Sequence, residues 1–239
     1  MEKKIYAALN SIGAYVPSKI ITNDDLSKIV DTSDEWIQKR TGIKERRFAE
    51  SAEATSDLAT KAARIALQRA KLNPEQIDMV ILATISPDFF CMPSTACVVA
   101  NNLGIINKPA FDISAACSGF IYLLALAKSL IESKAYKNIL IVGAEKLSSI
   151  IDMQDRSTCV LFGDGAGAAI ISATEDREAA ILDVRVASNG AYQDFLMTPG
   201  CGSRNPANAG MLEERLQFIK MKGNETFKIA VKTLTNDVI

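Results

Sequence analysis

The sequence predicts an α/β protein with a largely parallel sheet, because short apolar runs alternate with longer helical patterns along the chain. The runs are too short for helices, whereas the segments between them repeat apolar residues at helical spacing. The predicted strands are residues 5–12, 79–84, 110–113, 138–143, 167–172 and 180–187, and the predicted helices are residues 24–30, 33–41, 56–70, 94–103, 119–134 and 213–237.

Capping residues support two of these helices. Residues 32–35, Thr-Ser-Asp-Glu, form a capping-box pattern ahead of Trp36, with Thr32 as the expected cap. Ser94 or Thr95 can begin the helix that Gly104 ends.

Composition limits the class of protein. The chain has 239 residues, of which 48% are hydrophobic and 23% charged, as in ordinary globular proteins. A net charge of -1 gives no field that would attract nucleic acid or an anionic membrane. The most apolar run, residues 120–130, is too short to span a bilayer, and the N-terminus lacks the apolar region of a secretory signal. The five dispersed cysteines indicate a reducing compartment, so we expect a cytoplasmic protein.

The chain contains no histidine. Histidine-ligated metal sites are therefore excluded, no C-x-x-C pair offers thiolate ligands instead, and we expect no metal. Within these residues, no cysteine or serine can pair with a histidine as in common nucleophilic catalysis.

Residues 110–120, Ala-Phe-Asp-Ile-Ser-Ala-Ala-Cys-Ser-Gly-Phe, predict an apolar strand, a tight turn and the start of a long helix. Cys117 lies at the turn, where free backbone N–H groups and the helix dipole favour a thiolate. Because the thiolate is the nucleophilic form of cysteine, this position suits covalent acyl transfer. The alternative is a small buried apolar side chain, as most free cysteines are.

Residues 163–168, Gly-Asp-Gly-Ala-Gly-Ala, match the loose dinucleotide-binding pattern G-x-G-x-x-A. That pattern requires a helix to follow, whereas residues 169–172 predict a strand. We therefore reject nucleotide binding here and expect a tight turn.

Trp36 and Arg40 lie four residues apart on one predicted helix and share a face. They could hold a planar base, or form a cation–π pair at the surface. Arg46 and Arg47 suit either phosphates or solvent, and we expect solvent.

The other cysteines have no predicted chemical role. Cys97 and Cys159 lie in apolar runs, which predicts core positions, whereas Cys91 and Cys201 lie in predicted loops. Residues 89–92, Phe-Phe-Cys-Met, form an apolar loop that we expect to pack onto the protein; a pocket wall and a partner contact are the alternatives.

Four segments, taken together and in this order, resemble the β-ketoacyl-acyl-carrier-protein synthase III family of thiolase-fold condensing enzymes. The resemblance runs from the first strand to the last residue. The segments are Asp-Thr-Ser-Asp-Glu-Trp-Ile-Gln-Lys-Arg-Thr-Gly-Ile-Lys-Glu-Arg (31–46), Phe-Asp-Ile-Ser-Ala-Ala-Cys-Ser-Gly-Phe (111–120), Phe-Gly-Asp-Gly-Ala-Gly-Ala (162–168) and Met-Lys-Gly-Asn-Glu-Thr-Phe-Lys (221–228).

The resemblance implies a two-step activity. Members of this family transfer an acetyl group from acetyl-CoA to a cysteine and then decarboxylate malonyl-acyl carrier protein. The resulting carbanion attacks the thioester and gives acetoacetyl-acyl carrier protein, which starts type II fatty acid synthesis. Cys117 stands at the position of this cysteine, and its own N–H is expected to contribute to an oxyanion hole. Coenzyme A thioester is a substrate, so no cofactor is implied.

The resemblance also implies binding residues. The adenine of coenzyme A would lie between Trp36 and Arg156. Met92 stands where relatives often carry an aromatic residue that shapes the acyl pocket, which leaves the primer length open. Lys228 would lie on the surface that docks the carrier protein, and the family is typically homodimeric. The implied coenzyme A residues are Thr32, Trp36, Arg40, Arg156, Gly223 and Asn224.

One departure from the family concerns the second step. The histidine and asparagine that promote decarboxylation belong to a segment beyond Ile239. We therefore expect this chain to accept an acyl group but not to condense it. Two further interpretations stay open: a non-catalytic protein that binds coenzyme A or acyl groups, and a related condensing enzyme of polyketide or secondary metabolism.

Thiolase-fold enzymes are layered αβαβα from two similar halves. Residues 1–175 would form a complete first half, and residues 176–239 only the beginning of the second. The charged residues 174–178 mark the boundary, and residues 189–209 predict a long surface loop. An unfinished sheet leaves an edge and an apolar face uncovered, so we expect this chain to be the N-terminal portion of a longer enzyme.

Overall fold

A computed structural model describes residues 3–237. The strands are β1 (Tyr6–Tyr15), β2 (Lys19–Thr22), β3 (Glu45–Phe48), β4 (Met79–Ala83), β5 (Ala110–Ile113), β6 (Asn138–Lys146), β7 (Asp164–Thr174), β8 (Leu196–Met197) and β9 (Lys220–Met221). The α-helices are α1 (Asn23–Ser27), α2 (Asp34–Thr41), α3 (Thr55–Ala70), α4 (Thr95–Leu103), α5 (Gly119–Glu132), α6 (Arg156–Cys159), α7 (Ala209–Glu213) and α8 (Gly223–Asp237).

The described residues form two units. The first unit combines the chain up to residue 19 with residues 47–146 and 164–187. The second unit combines residues 20–46 and 147–163 with the chain from residue 188 onward. No helix in the part of the chain that the structure describes is both long and apolar enough to cross a membrane.

The first unit contains a five-stranded sheet in the order β1-β7-β6-β4-β5. Strand β4 pairs in parallel with β5 and β6, whereas β7 runs antiparallel to both β6 and β1. Four of the five strands therefore run in one direction. The predicted α/β class with a largely parallel sheet is confirmed, although the reversed β7 makes two of the four strand pairs antiparallel.

Strand β4 shows how the core of the first unit forms, because all five of its residues are buried. Val80 and Leu82 point to the face covered by α3 and α4. Met79, Ile81 and Ala83 point to the opposite face, covered by α5. A strand that is buried on both faces has an uninterrupted apolar sequence, and this run made β4 predictable.

Strand β1 lies unusually close to helix α3. Ser11 Oγ donates a hydrogen bond to the carbonyl oxygen of Ala66 at 2.7 Å. A Cβ atom on Gly13 would lie 2.6 Å from the backbone nitrogen of Ala66 and would overlap the carbonyl oxygen of Ala62. Only glycine therefore permits this contact between the two backbones.

The second unit has its own small core, in which Leu26 of α1 and Ile37 of α2 pack with Cys159 and Val160. Cys159 is fully buried, as predicted, and burial raises the pKa of its thiol. This thiol is a structural side chain and has no access to substrate.

Arg46 is buried in the second unit, so the prediction that solvent surrounds it is wrong. Its guanidinium donates hydrogen bonds to the carbonyl oxygens of Ile21 and Val160 and to Oδ1 of Asn23. Backbone carbonyls that are buried where segments meet need donors, and a guanidinium supplies several from one side chain. Burial lowers the pKa of Arg46 below its ordinary value.

The predicted helices at 33–41, 56–70, 94–103 and 119–134 are confirmed to within two residues, as α2, α3, α4 and α5. The predicted strands at 5–12, 79–84, 110–113, 138–143 and 167–172 correspond to β1, β4, β5, β6 and β7. The predicted helix at 24–30 is shorter, since α1 ends at Ser27.

The strand predicted at residues 180–187 is wrong. Ala180 forms an isolated bridge with Ala8, and the N–H of Ile181 donates to the carbonyl oxygen of Ala7. The residues that follow are irregular. A strand needs a partner along its length, and strand β1 provides one over two residues only.

The helix predicted at residues 213–237 begins ten residues later, as α8 at Gly223. Helix α7 ends at Glu213, and Arg215 adopts a left-handed φ of 56°, which interrupts helical geometry. Strand β9 then occupies residues that the apolar pattern assigned to the helix.

The tight turn predicted at residues 163–168 is also wrong, because β7 begins at Asp164 and includes Gly165 and Gly167. The predicted strand at 169–172 is confirmed.

The prediction that Cys97 lies in the core is wrong. Cys97 is exposed, because the buried face of α4 carries residues such as Val99 and Leu103.

We expect Gly13→Ala to destabilise the fold by about 3 kcal/mol, because the added methyl overlaps the backbone of α3. Denaturant unfolding monitored by circular dichroism measures this change. Gly167→Ala is the matched control: a Cβ there meets no atom within 4 Å, and alanine is favoured over glycine in a strand by about 0.5–1 kcal/mol. Equal stability of the two variants would contradict the proposed backbone contact.

Candidate active site

Cys117 lies on a short turn at the carboxyl end of β5. A single 3₁₀ turn, Ala116–Ser118, joins the strand to α5, and the N–H of Ser118 donates to the carbonyl oxygen of Ala115 at 3.1 Å. The side chain of Cys117 is exposed. The alternative of a buried structural cysteine is therefore wrong for this residue.

The turn is conformationally strained and tightly supported. Ala116 has a φ of 45°, a left-handed conformation that costs a non-glycine residue of order 1 kcal/mol or more. A Cβ on Gly119 would lie 2.7 Å from Cβ of Ala83, so α5 can begin directly against β4 only because residue 119 is glycine. Such strain persists where the surrounding structure fixes it, and it concentrates at functional sites.

Glu145, near the end of β6, lies at the same edge of the sheet. Its carboxylate accepts hydrogen bonds from Thr84 Oγ1 at 3.1 Å, from the N–H of Ile85 at 2.9 Å and from Ser86 Oγ. Burial raises the pKa of Glu145, and the hydrogen bonds oppose this shift. Sequence reasoning missed this residue, although an acidic side chain that follows a buried apolar strand is a usable signal.

Met92 lies in an exposed apolar loop. The exposed fractions of Phe89, Phe90 and Met92 are 52%, 73% and 80%. The prediction that this loop packs onto the protein is therefore wrong, and a pocket wall or a partner contact remain the alternatives.

Three of the predicted coenzyme A residues come together in the second unit. The guanidinium carbons of Arg40 and Arg156 lie 4.7 Å and 4.8 Å from the centre of the Trp36 ring. Arg156 also donates a hydrogen bond to the carbonyl oxygen of Asp31 at 2.8 Å. The sequence indicated the Arg40 contact by its helical spacing, but only the family resemblance connected Arg156 with this cluster.

Thr32 is not the cap of α2, contrary to the prediction. Ser33 is the cap, and its Oγ accepts a hydrogen bond from the N–H of Trp36 at 3.1 Å. Within residues 3–237, Oγ1 of Thr32 is buried and has no hydrogen-bond partner. An unpaired buried hydroxyl costs about 1–3 kcal/mol.

Gly223, Asn224 and Lys228 all lie on the first turns of α8 and are exposed. Asn224 and Lys228 are four residues apart and share one helix face. Phe227 is also on this helix and is 69% exposed; an exposed aromatic side chain beside these polar residues is a signal that sequence reasoning overlooked.

An ion pair holds the segment that precedes α8. Arg215 Nε donates to Oδ2 of Asp152 at 2.7 Å, and Lys220 Nζ lies 3.8 Å from the same carboxylate. The N–H of Ile219 donates to the carbonyl oxygen of Ile150. The hydrogen bond from Arg215 holds the pKa of Asp152 below its ordinary value. Nothing in the sequence connects residues 63 positions apart, so this pair was not predicted.

No group of three or more His, Cys, Asp or Glu side chains among the described residues is arranged to hold a metal ion. The arrangement instead offers an exposed thiol in the first unit and an aromatic–guanidinium cluster in the second.

Comparison with known proteins identifies the family. Residues 111–190 match the sequence profile of 3-oxoacyl-[acyl-carrier-protein] synthase III. The β-ketoacyl-[acyl-carrier-protein] synthase III of Sulfurovum sp. is 61% identical over 236 residues, which cover 99% of this chain and 69% of that protein. The chain belongs to the β-ketoacyl-[acyl-carrier-protein] synthase III family. The synthase III of Campylobacter curvus is 64% identical over 234 residues, 98% of this chain and 69% of that protein.

A solved synthase III structure agrees with the fold. The crystal structure of 3-oxoacyl-[acyl-carrier-protein] synthase III from Aquifex aeolicus superposes with a TM-score of 0.84 at 48% identity, over 93% of this chain and 67% of that one. The α/β fold described above is therefore the thiolase-like fold of synthase III, over about two thirds of that structure's length.

In this synthase III chain we expect Arg215→Met to destabilise the protein at neutral pH, because it leaves the buried Asp152 carboxylate without its main partner. The folded-state pKa of Asp152 is depressed, so the stabilisation is present above its ordinary pKa and is lost as the pH falls through the folded value. The stability difference between wild type and variant should therefore shrink in acid. Urea unfolding at a series of pH values measures it.

Arg185→Met is the control for this experiment, since Arg185 pairs with Asp183 on the surface, where both side chains are largely exposed. Exposed pairs contribute little. A stability difference for Arg215→Met that is independent of pH between neutral and strongly acidic conditions would contradict the assigned role of Asp152.

Proposed function

We propose that this chain carries out the acyl-transfer step of β-ketoacyl-acyl carrier protein synthase III, with acetyl-CoA as donor and Cys117 as acceptor. The sulfur attacks the thioester carbonyl, a new sulfur–carbon bond forms, and coenzyme A leaves as the thiol with the proton that the cysteine gives up. The N–H of Cys117 donates to the carbonyl oxygen as it becomes negatively charged.

One observation carries this proposal: Cys117 is exposed on a strained turn that begins a helix, in a chain about 60% identical to known synthases over nearly its whole length. A structural cysteine would gain nothing from exposure on such a turn. In the wider pathway, acylation of this cysteine starts type II fatty acid synthesis, with malonyl-acyl carrier protein as the second substrate.

The coenzyme A site proposed for this chain is the cluster of Trp36, Arg40 and Arg156. Adenine would lie between the indole and Arg156, whose guanidinium now lies over the ring and must move aside to admit the base. The unpaired hydroxyl of Thr32 would supply a hydrogen bond. We further assign Arg40, Gly223 and Asn224 to the channel that follows.

We propose that residues 1–175 are the first half of a layered αβαβα architecture and residues 176–239 the beginning of the second half. Support comes from α5, which is apolar on more than one side: Ile121 and Leu126 lie outside its buried face and remain 43% and 37% exposed. A helix that is apolar all round belongs between two layers.

For partners, we assign Lys228 to the carrier-protein docking surface, since it is an exposed cation on α8. We propose a homodimer that uses β5, the edge strand of the sheet, on which Phe111 is 39% exposed. Met92, at 80% exposure, would shape the acyl pocket. The free state of all five cysteines supports a cytoplasmic location.

The second candidate function is binding of coenzyme A thioesters without catalysis, and the absence of histidine from the sequence favours it. The two candidates differ in whether Cys117 becomes acylated. Both predict that the 239-residue chain does not condense malonyl-acyl carrier protein, because no residue in it can supply the family histidine's hydrogen bond.

We expect acetyl-CoA to acetylate Cys117, and Cys117→Ser to abolish the label, because serine lacks a comparably nucleophilic group. Peptide mass spectrometry after incubation with labelled acetyl-CoA measures this. Cys97→Ser is the control, since Cys97 is also exposed and should be irrelevant. Addition of malonyl-acyl carrier protein should give no acetoacetyl product. Binding of acetyl-CoA that leaves Cys117 unlabelled would support the non-catalytic candidate.

We expect Arg156→Met to weaken binding of coenzyme A about tenfold, because it removes a cation–π partner of the adenine. The single tryptophan, Trp36, allows a direct titration by its fluorescence. Lys3→Met is the control, because Lys3 pairs with Glu175 in the first unit. An unchanged dissociation constant for Arg156→Met would place adenine elsewhere.

A further inference from the structure

The connection between β4 and α4, residues 84–94, is held at both ends although its tip is exposed. At the C-terminal end of the connection, where α4 begins, the N–H groups of Thr95 and Ala96 donate to the carboxylate of Asp112 on β5, each at 2.7 Å. Nearer its middle, Asp88 accepts a hydrogen bond from the N–H of Ser56 at 2.8 Å. These contacts fix the second half of the connection to α3 and β5.

Glu145 fixes the first half. Three consecutive residues, Thr84, Ile85 and Ser86, donate hydrogen bonds to its carboxylate. Thr84 and Ser86 are only 6% and 5% exposed, so water does not compete for these donors. Ser86 Oγ also accepts a hydrogen bond from the N–H of Lys146 at 2.8 Å, which attaches the same point to the backbone of β6.

This attachment continues to the Cys117 turn. The N–H of Thr84 donates to the carbonyl oxygen of Ile113, the last residue of β5, at 3.2 Å. Only three residues separate Ile113 from Cys117, and Gly119 rests against Ala83, which directly precedes Thr84. Thr84 is therefore bonded on one side to Glu145 and on the other to the strand that leads into the turn.

We propose that Glu145 is a positioning residue that holds residues 84–86 and the Cys117 turn as one rigid frame. Its functional consequence rests on the proposed acyl transfer to Cys117. Glu145 contacts no reacting atom; it acts through Thr84 and the end of β5. A carboxylate suits this place because all its partners are donors, whereas an amide would direct its own N–H groups at one of them.

Glu145→Gln tests the frame. We expect faster amide hydrogen exchange in peptides covering both residues 84–88 and residues 114–119. We also expect the rate of Cys117 acetylation at saturating acetyl-CoA to fall about tenfold, because even a small displacement of a reacting group lowers the rate. The half-saturating acetyl-CoA concentration should not change, because the proposed coenzyme A residues belong to the second unit.

Two further variants separate positioning from general loss of stability. Thr84→Val should reproduce part of the loss in acetylation rate. The double variant Glu145→Gln/Thr84→Val should be no slower than Glu145→Gln alone, because both substitutions break the same connection from Glu145 through Thr84 to β5. Glu53→Gln is the matched control: it breaks the ion pair of Glu53 with Lys61 in the same unit and should leave the acetylation rate unchanged.

Each outcome decides a separate claim. Faster exchange confined to residues 84–88, or an equal loss of rate in Glu53→Gln, overturns the inference about Glu145. If wild-type Cys117 accepts no acetyl group, the proposed function fails, while the exchange rates at residues 114–119 still decide whether Glu145 supports the turn.

Discussion

The burial of strand β4 on both faces is the constraint on which the first unit depends. Its neighbours β5 and β6 are held in a fixed register, because a slip of one residue would exchange the side chains of the two cores. That register sets where each strand ends. The Cys117 turn after β5 and the Glu145 carboxylate on β6 therefore reach the same edge of the sheet through the packing of residues far from any substrate.

The parts of the fold that the sequence predicts correctly are those whose stability is local or strongly apolar. Strand β4 and helix α4 carry their signals within a dozen residues, as an apolar run and as a Ser cap with a terminal Gly. The failures concern segments that depend on distant partners. Residues 180–187 alternate like a strand but find a neighbour for two residues only. The helical pattern from residue 213 is interrupted at Arg215, which has a left-handed φ and whose side chain pairs with the distant Asp152.

The residues of the candidate site also divide into those that local sequence patterns predict and those that depend on distant contacts. The thiol at a helix start and the helical spacing of Trp36 and Arg40 are visible in the sequence, and the family resemblance added Arg156. Glu145 and the residues it bonds lie about 60 positions apart in the chain, and a hydrogen-bonded cluster of that kind leaves no periodic signal. Supporting residues are therefore harder to predict from one sequence than the residues that touch substrate.

The buried guanidinium of Arg46 has a consequence for biosynthesis. One of its acceptors, the carbonyl of Val160, is made 114 residues later. At a translation rate of about 5–20 residues per second, Arg46 is made roughly 6–23 s before that acceptor. Through this interval, Leu26 and Ile37 lack Val160 as a packing partner on the nascent chain. Of the first unit, strands β4, β5 and β6 are made within this interval, whereas β7, which lies between β1 and β6 in the sheet, is made only after Val160.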